Sequence, residues 1–481
     1  MASVKLQLIP ARLVVCCGLA VAAAVVLALP LSSTAAAPTV VTHLPGFDGP
    51  LPFYLETGYV DVEEESGTEL FYYFVESERS PRTDPVLLWL TGGPRCSAFC
   101  GFAFEIGPVK FVLEPYDGTL PRLVYSPDSW TRVSSILFLD SPVGSGFSYA
   151  RDPKGYDVGD ASSSRQVVTF LTKVWNTATQ QPCFIGLIVT HGLFQILSTL
   201  LETPTPERWF LLSHNTSQKG YLVGNPVTGD DVDQNSQIPY AHSHGIISDQ
   251  QYEAAVANCE GDYVSSKNKL CADVLQTIKD LMAQVNNQDI LQPICSHDSP
   301  KPKPKPGQDA SARKSLLAEE HTRLIDPPEE PSSHCFEYRY YLSYFWANDN
   351  ATRAALGIKE GTVTEWVRCK RTSFPYTYDV PSSIKYHFNL TTRGYRALVY
   401  SGDHDRGIPF SGTQAWIRSF NFSVVDDWRA WHLDGQAAGF TIKYANNLTF
   451  ATVKGGRHEA AGNRPKECSA MAKRWLNNKP L

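Results

Sequence analysis

Uninterrupted apolar runs recur along this chain, and several end in a loop rich in glycine, serine or aspartate. They are VLLWL at 86–90, SILFL at 135–139, FIGLIV at 184–189, GYLVG at 220–224, RALVYS at 396–401 and FATV at 450–453. A strand with no polar alternation is one covered on both faces, so these runs predict the buried strands of a parallel sheet. LFYYFVE at 70–76 alternates in part and reads as a further strand, while residues 160–175 carry helical spacing and are expected to pack on the sheet. Strands separated by helices, with acid and histidine on loops at strand ends, describe an α/β protein with its site along one edge of a mostly parallel sheet.

The pattern changes at residues 227–372, which hold five cysteines, polar helices and the tract KPKPKP at 301–306. Such a tract buries little apolar surface, so 300–333 is expected to be an exposed loop. The resulting division is a leader at 1–37, a first part of the core at 38–226, an insertion at 227–372 and a second part of the core at 373–481. With 481 residues, 43% of them hydrophobic, the chain is long enough for this arrangement. The leader has Lys5 and Arg12, an apolar run over 13–31, then small residues before Pro38. It reads as a secretory signal cleaved near Ala36 or Ala37, the rival being an uncleaved anchor; no later stretch approaches a membrane span.

Charge is near balance, 43 basic against 49 acidic residues, with no long basic tract, which argues against a nucleic-acid partner. Nine cysteines remain beyond Cys16 and Cys17 of the leader: Cys96, Cys100, Cys183, Cys259, Cys271, Cys295, Cys335, Cys369 and Cys468. In a secreted chain they suggest disulfides with an odd thiol left over, and their spacings argue against a metal site. Sequons at Asn215, Asn350, Asn389, Asn421 and Asn447 fit a glycosylated protein of the secretory pathway, extracellular or vacuolar.

The strand-end loops carry the candidate chemistry. Thr91-Gly92-Gly93-Pro94 follows a buried strand, and its N–H groups could hold an oxyanion or simply make a tight turn. Another loop, Ser141-Pro142-Val143-Gly144-Ser145-Gly146, could border a pocket. Gly402-Asp403-His404-Asp405 and Gly455-Gly456-Arg457-His458 supply acid and histidine. The run ending at Val189 is followed by Gly192 and more apolar residues, which suits a strand turning sharply into a helix.

Together, the motifs WLTGGP at 89–94, LFLDSPVGSGFSY at 137–149, SGDHD at 401–405 and the late Gly456-Arg457-His458 resemble those of plant serine carboxypeptidase-like proteins. The resemblance spans residues 44–481. It implies an α/β-hydrolase fold with a helical insertion, or cap, over the site, and a triad in the order Ser, Asp, His. By the same resemblance Asp405 is the triad aspartate, His458 the general base, Gly93 an oxyanion donor, and Thr91, Gly92 and Glu105 belong to the substrate site. Glu105 would bind a substrate carboxylate or acyl-acceptor group; Asp403 would merely support its turn. Thr91, where the peptidases carry asparagine, together with WHLDGQAAGF at 431–440, is more similar to the branch that transfers acyl groups from glucose esters. The implied disulfides are Cys96–Cys369, Cys259–Cys271 and Cys295–Cys335. The implied partner is a peptide or acyl ester, no cofactor is implied, and the oligomeric state is left open.

One position breaks the pattern. The family's nucleophile elbow aligns so that Val189 stands where serine should, and Ile188 replaces an acidic substrate-binding residue. Valine has no lone pair for His458 to activate. Thr190 falls one place late, and Ser198, Ser213 and Ser217 lack the glycine context. Three further changes are expected to crowd the site: Arg95 replaces a glycine expected at positive φ, Arg406-Gly407 disturbs the segment after Asp405, and Arg457, with Glu459-Ala460-Ala461-Gly462, flanks His458 where the family has a small residue and Thr-Ala-Pro-Glu. The family likeness fades over 176–219 with length preserved, as a shifted reading frame would produce. Three readings follow: a catalytically impaired member, an active carboxypeptidase or acyltransferase whose true sequence differs there, or a non-catalytic binding protein.

Overall fold

A computed structural model describes residues 37–177, 185–189, 220–295, 332–370 and 373–481. The leader, Cys183, the Asn215 sequon, the turn after Val189 and most of the Pro/Lys-rich tract lie outside them. The main sheet has 11 strands: β1 (Thr39–Val41), β2 (Leu55–Glu63), β3 (Thr68–Val75), β4 (Val86–Leu90), β5 (Ser135–Leu139), β6 (Ile185–Val189), β7 (Gly220–Gly224), β8 (Arg396–Gly402), β9 (Val424–Leu433), β10 (Gln436–Tyr444) and β11 (Leu448–Val453). Their spatial order is β1-β2-β3-β5-β4-β6-β7-β8-β11-β10-β9. The central strands from β5 to β11 are parallel. Antiparallel strands extend the sheet at each side.

The parallel centre is where the apolar runs were read. Every described side chain of β5, β7 and β8 is buried. Alternation still sorts them by face: Leu87 and Trp89 of β4, with Leu398 and Tyr400 of β8, join one core, while Leu88, Leu90, Ala397 and Val399 join the other. Each large side chain so buried contributes about 1.5–3 kcal/mol. The antiparallel flanks were not legible as runs. On β9, VVDDWRAWHL has one fully buried residue, so an edge strand of this kind leaves little apolar pattern to read.

Helix α1 (Asp160–Thr177) turns Val167, Phe170 and Leu171 onto the sheet. Between β7 and β8 the chain inserts α2 (Asp231–Asn235), α3 (Gln237–Ser243), α4 (Asp249–Cys259), α5 (Lys269–Met282), α6 (Tyr338–Asn348), α7 (Asn350–Ala355) and α8 (Ile384–Thr392). After β8 come α9 (Phe410–Arg418), α10 (Ala460–Asn463) and α11 (Pro465–Leu476). Ser248 and Gln251 form a capping box at the start of α4. Ile238, Ala241, Ala255, Leu275 and Ile278 give the inserted helices a core of their own. From Ala37 onward the chain is one compact unit. No helix among the described residues is long and apolar enough to cross a membrane.

Among the described residues there are three disulfides: Cys96–Cys369, Cys259–Cys271 and Cys295–Cys335. Cys100 and Cys468 are buried thiols. The asparagines of the sequons at Asn350, Asn389, Asn421 and Asn447 are exposed. Because Cys259–Cys271 ties α4 to α5 inside the smallest core, its removal is expected to loosen that unit first. C259S/C271S should lower stability by about 2–4 kcal/mol, read by urea denaturation followed by helix signal.

Candidate active site

Strands β7, β8 and β11 are parallel neighbours, so the loops at their C-terminal ends lie side by side. Asn225 follows β7, Asp405 follows β8 and His458 follows β11. The Asp405 carboxylate is fully buried. Its Oδ2 accepts from His458 Nδ1 at 2.7 Å and from Asn225 Nδ2 at 2.8 Å. Its Oδ1 accepts from the N–H groups of Gly407 at 2.9 Å and Ile408 at 3.1 Å. The segment expected to be disturbed by Arg406-Gly407 therefore holds the carboxylate instead, and Arg406 turns away to donate to the Val285 carbonyl.

Asn225 was not picked out from the sequence. It adopts φ +43°, a conformation asparagine tolerates better than most residues. Its N–H donates to the Tyr400 carbonyl, its Oδ1 accepts from Gly402 N–H, and its Nδ2 reaches Asp405. One side chain thus ties the ends of β7 and β8 to the buried acid. The signal was an asparagine placed between a buried strand and Pro226.

His458 is anchored by its N–H to the Gln288 carbonyl at 2.8 Å, and its side chain is 32% accessible. Burial works against its charged form, but Asp405 outweighs burial and raises its pKa above the ordinary 6.5. Its Nε2 makes no hydrogen bond to any described residue. Asp403 braces the neighbouring turn, accepting from Gly455 N–H at 2.7 Å.

At the end of β4, Gly93 has φ +76°, which glycine adopts without strain. Trp89 Nε1 donates to Thr91 Oγ1 at 2.9 Å. Gly101 opens a π-helical turn, Gly101–Glu105, pressed so close to Trp89 that an added Cβ would sit 2.2 Å from the indole nitrogen. Glu105 at the end of that turn is no ordinary surface carboxylate. Burial, and then the charge of Glu459, push its pKa up to about 8. Glu459 is half-buried, yet Arg457, Arg368 and the Tyr340 hydroxyl that donates to it hold it ionised.

Arg95 does have the positive φ, +71°, at the position where a glycine was expected. Its guanidinium is buried and donates to the carbonyls of Val143, Tyr156 and Pro375, the last two at 2.6 Å. It forms no salt bridge among the described residues, although the charge of Asp157 reaches it, and burial lowers its pKa to about 10. Arg95 therefore ties together three loops instead of crowding the site. Arg457 is also fully buried and bonds Glu337 at 2.7 Å and Gln288 at 2.6 Å, fastening the histidine loop to the insertion.

A family model described as serine carboxypeptidase matches residues 45–185 and 205–478. The chain belongs to the serine carboxypeptidase family. Serine carboxypeptidase-like 2 of Arabidopsis thaliana is 41% identical over 455 residues, covering 92% of this chain and 93% of the relative. Serine carboxypeptidase-like 13 of the same plant is 40% identical over 457 residues, covering 94% and 96%. A prohormone-processing carboxypeptidase of Saccharomyces cerevisiae shares the fold at a TM-score of 0.66 and 16% identity, over 92% of this chain and 95% of its own. The family match breaks off at residue 185 and resumes at 205, so it omits Ile188 and Val189.

On the sheet, Val189 is the last residue of β6 and pairs in register with Leu90, the last residue of β4. Leu90 leads directly into the Thr91-Gly92-Gly93 loop, so the strand end expected to carry the nucleophile lies beside the expected oxyanion loop. Thr190, Ser198, Ser213 and Ser217 lie outside the described residues. The buried thiol of Cys100 is pushed up to about 12 by burial, which leaves it protonated at any physiological pH.

Two outcomes follow from this geometry. In D405N the imidazole keeps its burial but loses its carboxylate, so the His458 titration midpoint should fall below 6.5, as an NMR pH titration would record. R457A removes a charged partner of the fully buried Glu337 carboxylate, and should cost about 3–5 kcal/mol by thermal or urea unfolding.

Proposed function

We propose that this chain is a serine carboxypeptidase-like protein that keeps the substrate site, the His458–Asp405 dyad and the oxyanion loop of its family but lacks the serine nucleophile. In the ordinary mechanism serine attacks the carbonyl, histidine moves the proton, and two N–H groups hold the oxyanion. Val189 at the end of β6 carries the reading. An aliphatic side chain offers no lone pair, so no acyl-enzyme can form at that position. Removing a triad nucleophile leaves about 10³–10⁴-fold catalysis over water, supplied by binding and the oxyanion site.

The substrate class is that of the family, a peptide C-terminus or an acyl ester. Thr91 and the 431–440 hairpin favour acyl esters of the glucose type. Glu105, neutral below about pH 8, is placed to donate a hydrogen bond to a substrate carboxylate or acceptor oxygen. Three disulfides and exposed sequon asparagines support a place in the secretory pathway.

A fluorophosphonate probe tests the proposal directly. The purified chain, its mass verified across residues 176–219, should take up no label under conditions that fully label an active relative. Stoichiometric labelling would mean an active serine enzyme. Stabilisation of the unlabelled chain by an acyl ester, read as a rise in Tm, would support retention of the old substrate pocket.

A further inference from the structure

The dyad is built for a proton transfer that needs no protein nucleophile. His458 Nδ1 is committed to Asp405 at 2.7 Å, which fixes the neutral tautomer with its proton on Nδ1 and a lone pair on Nε2. That Nε2 donates to and accepts from no described residue, and the ring is 32% accessible beside a carboxylate that is fully buried. Glu105, Arg368 and Glu459 stand nearby. Burial is the largest influence on each of them, yet none is sealed from solvent. The N–H of Gly93 likewise has no acceptor among the described residues.

We propose that His458, held by Asp405, activates water directly and hydrolyses small activated acyl esters in a single displacement. This rests on the reading that no serine stands at the end of β6. As the water oxygen bonds to the acyl carbon, Nε2 takes the water proton and the carbonyl electron pair moves onto oxygen, which Gly93 N–H receives. Collapse of the tetrahedral species breaks the acyl–oxygen bond, and the leaving oxygen takes the proton back from Nε2. The products are a carboxylic acid and an alcohol, and no bond to the protein forms at any point. Esters with good leaving groups are the class served, because an amide leaving group needs a more powerful attack than water at a lone imidazole supplies.

The charged groups facing the imidazole are Asp405 from the β8 loop, Arg457 and Glu459 from its own loop, and Glu105 from the π-helical turn. The base must be neutral to act. Turnover is therefore expected to rise with pH through a midpoint above 6.5 and then level off.

Steady-state and stopped-flow hydrolysis of 4-nitrophenyl acetate and butyrate by the full chain tests the proposal. Expected are saturable turnover, no burst, no acyl adduct by quenched-flow mass spectrometry, and the rising pH profile. H458Q should lose about 100-fold, while H43Q, at an exposed histidine just after β1, should be unchanged. Equal rates for the wild-type chain and a folded H458Q, or a wild-type profile without the rise, would overturn direct water activation and leave the serine-less reading standing. A burst, an acyl adduct or fluorophosphonate labelling would overturn that reading as well.

Discussion

The buried carboxylate of Asp405 organises this end of the molecule. A charge with no solvent contact is sustained only by donors, and here four converge on two oxygens: His458, Asn225 and the N–H groups of Gly407 and Ile408. The donors come from the ends of three parallel strands. Their geometry is thus set by sheet register, with Gly224 beside Tyr400 and Gly402 beside Val453. A displacement of any one strand end would leave an ionised oxygen unsatisfied, so holding the histidine and keeping the strands in register are one constraint.

Around that dyad the chain has accumulated buried cations uncommon in an apolar interior. Arg95 and Arg457 are both fully buried, yet they are held differently, and each keeps at least one buried guanidinium nitrogen without a hydrogen bond among the described residues. Arg457 has a carboxylate partner in Glu337. Arg95 has backbone carbonyls from three loops and the rings of Phe374 and Tyr376 within 5.4 and 6.0 Å. Each fastens a loop of the site to a part of the chain remote in sequence.

The proposed function separates two chemical requirements. Forming an acyl-enzyme needs an oxygen or sulfur at the strand end. Moving a proton needs only an oriented imidazole with one free nitrogen, and among the described residues His458 Nε2 has no partner. The nearby Glu105 and Glu459 extend the asymmetry, one carboxyl pushed up to about 8 and the other kept ionised by arginines. Opposite protonation states in adjacent acids are a usual mark of a site arranged for proton traffic or for polar ligands.

Much of this was legible before any coordinates. Continuous apolar runs named the parallel centre of the sheet, because burial on both faces removes polar residues from a strand. The motifs around Gly93, Asp405 and His458 placed the chemistry at strand ends, and the valine at 189 was visible as a valine. Of the antiparallel flanks only β3 was read, from LFYYFVE; β1, β2, β9 and β10 escaped notice, since β9 and β10 are half exposed and carry no such run. Asn225 escaped because its role depends on a positive φ and on reaching two loops far away in sequence. The effects of Arg95, Arg406 and Arg457 were read as crowding, whereas carbonyl and carboxylate partners some 50 to 280 residues distant accommodate them. Residue type and local order thus establish which atoms are available for chemistry. Which of them meet, and whether a buried charge is tolerated, is decided only when distant segments fold together, because a hydrogen bond acts through space and not along the chain.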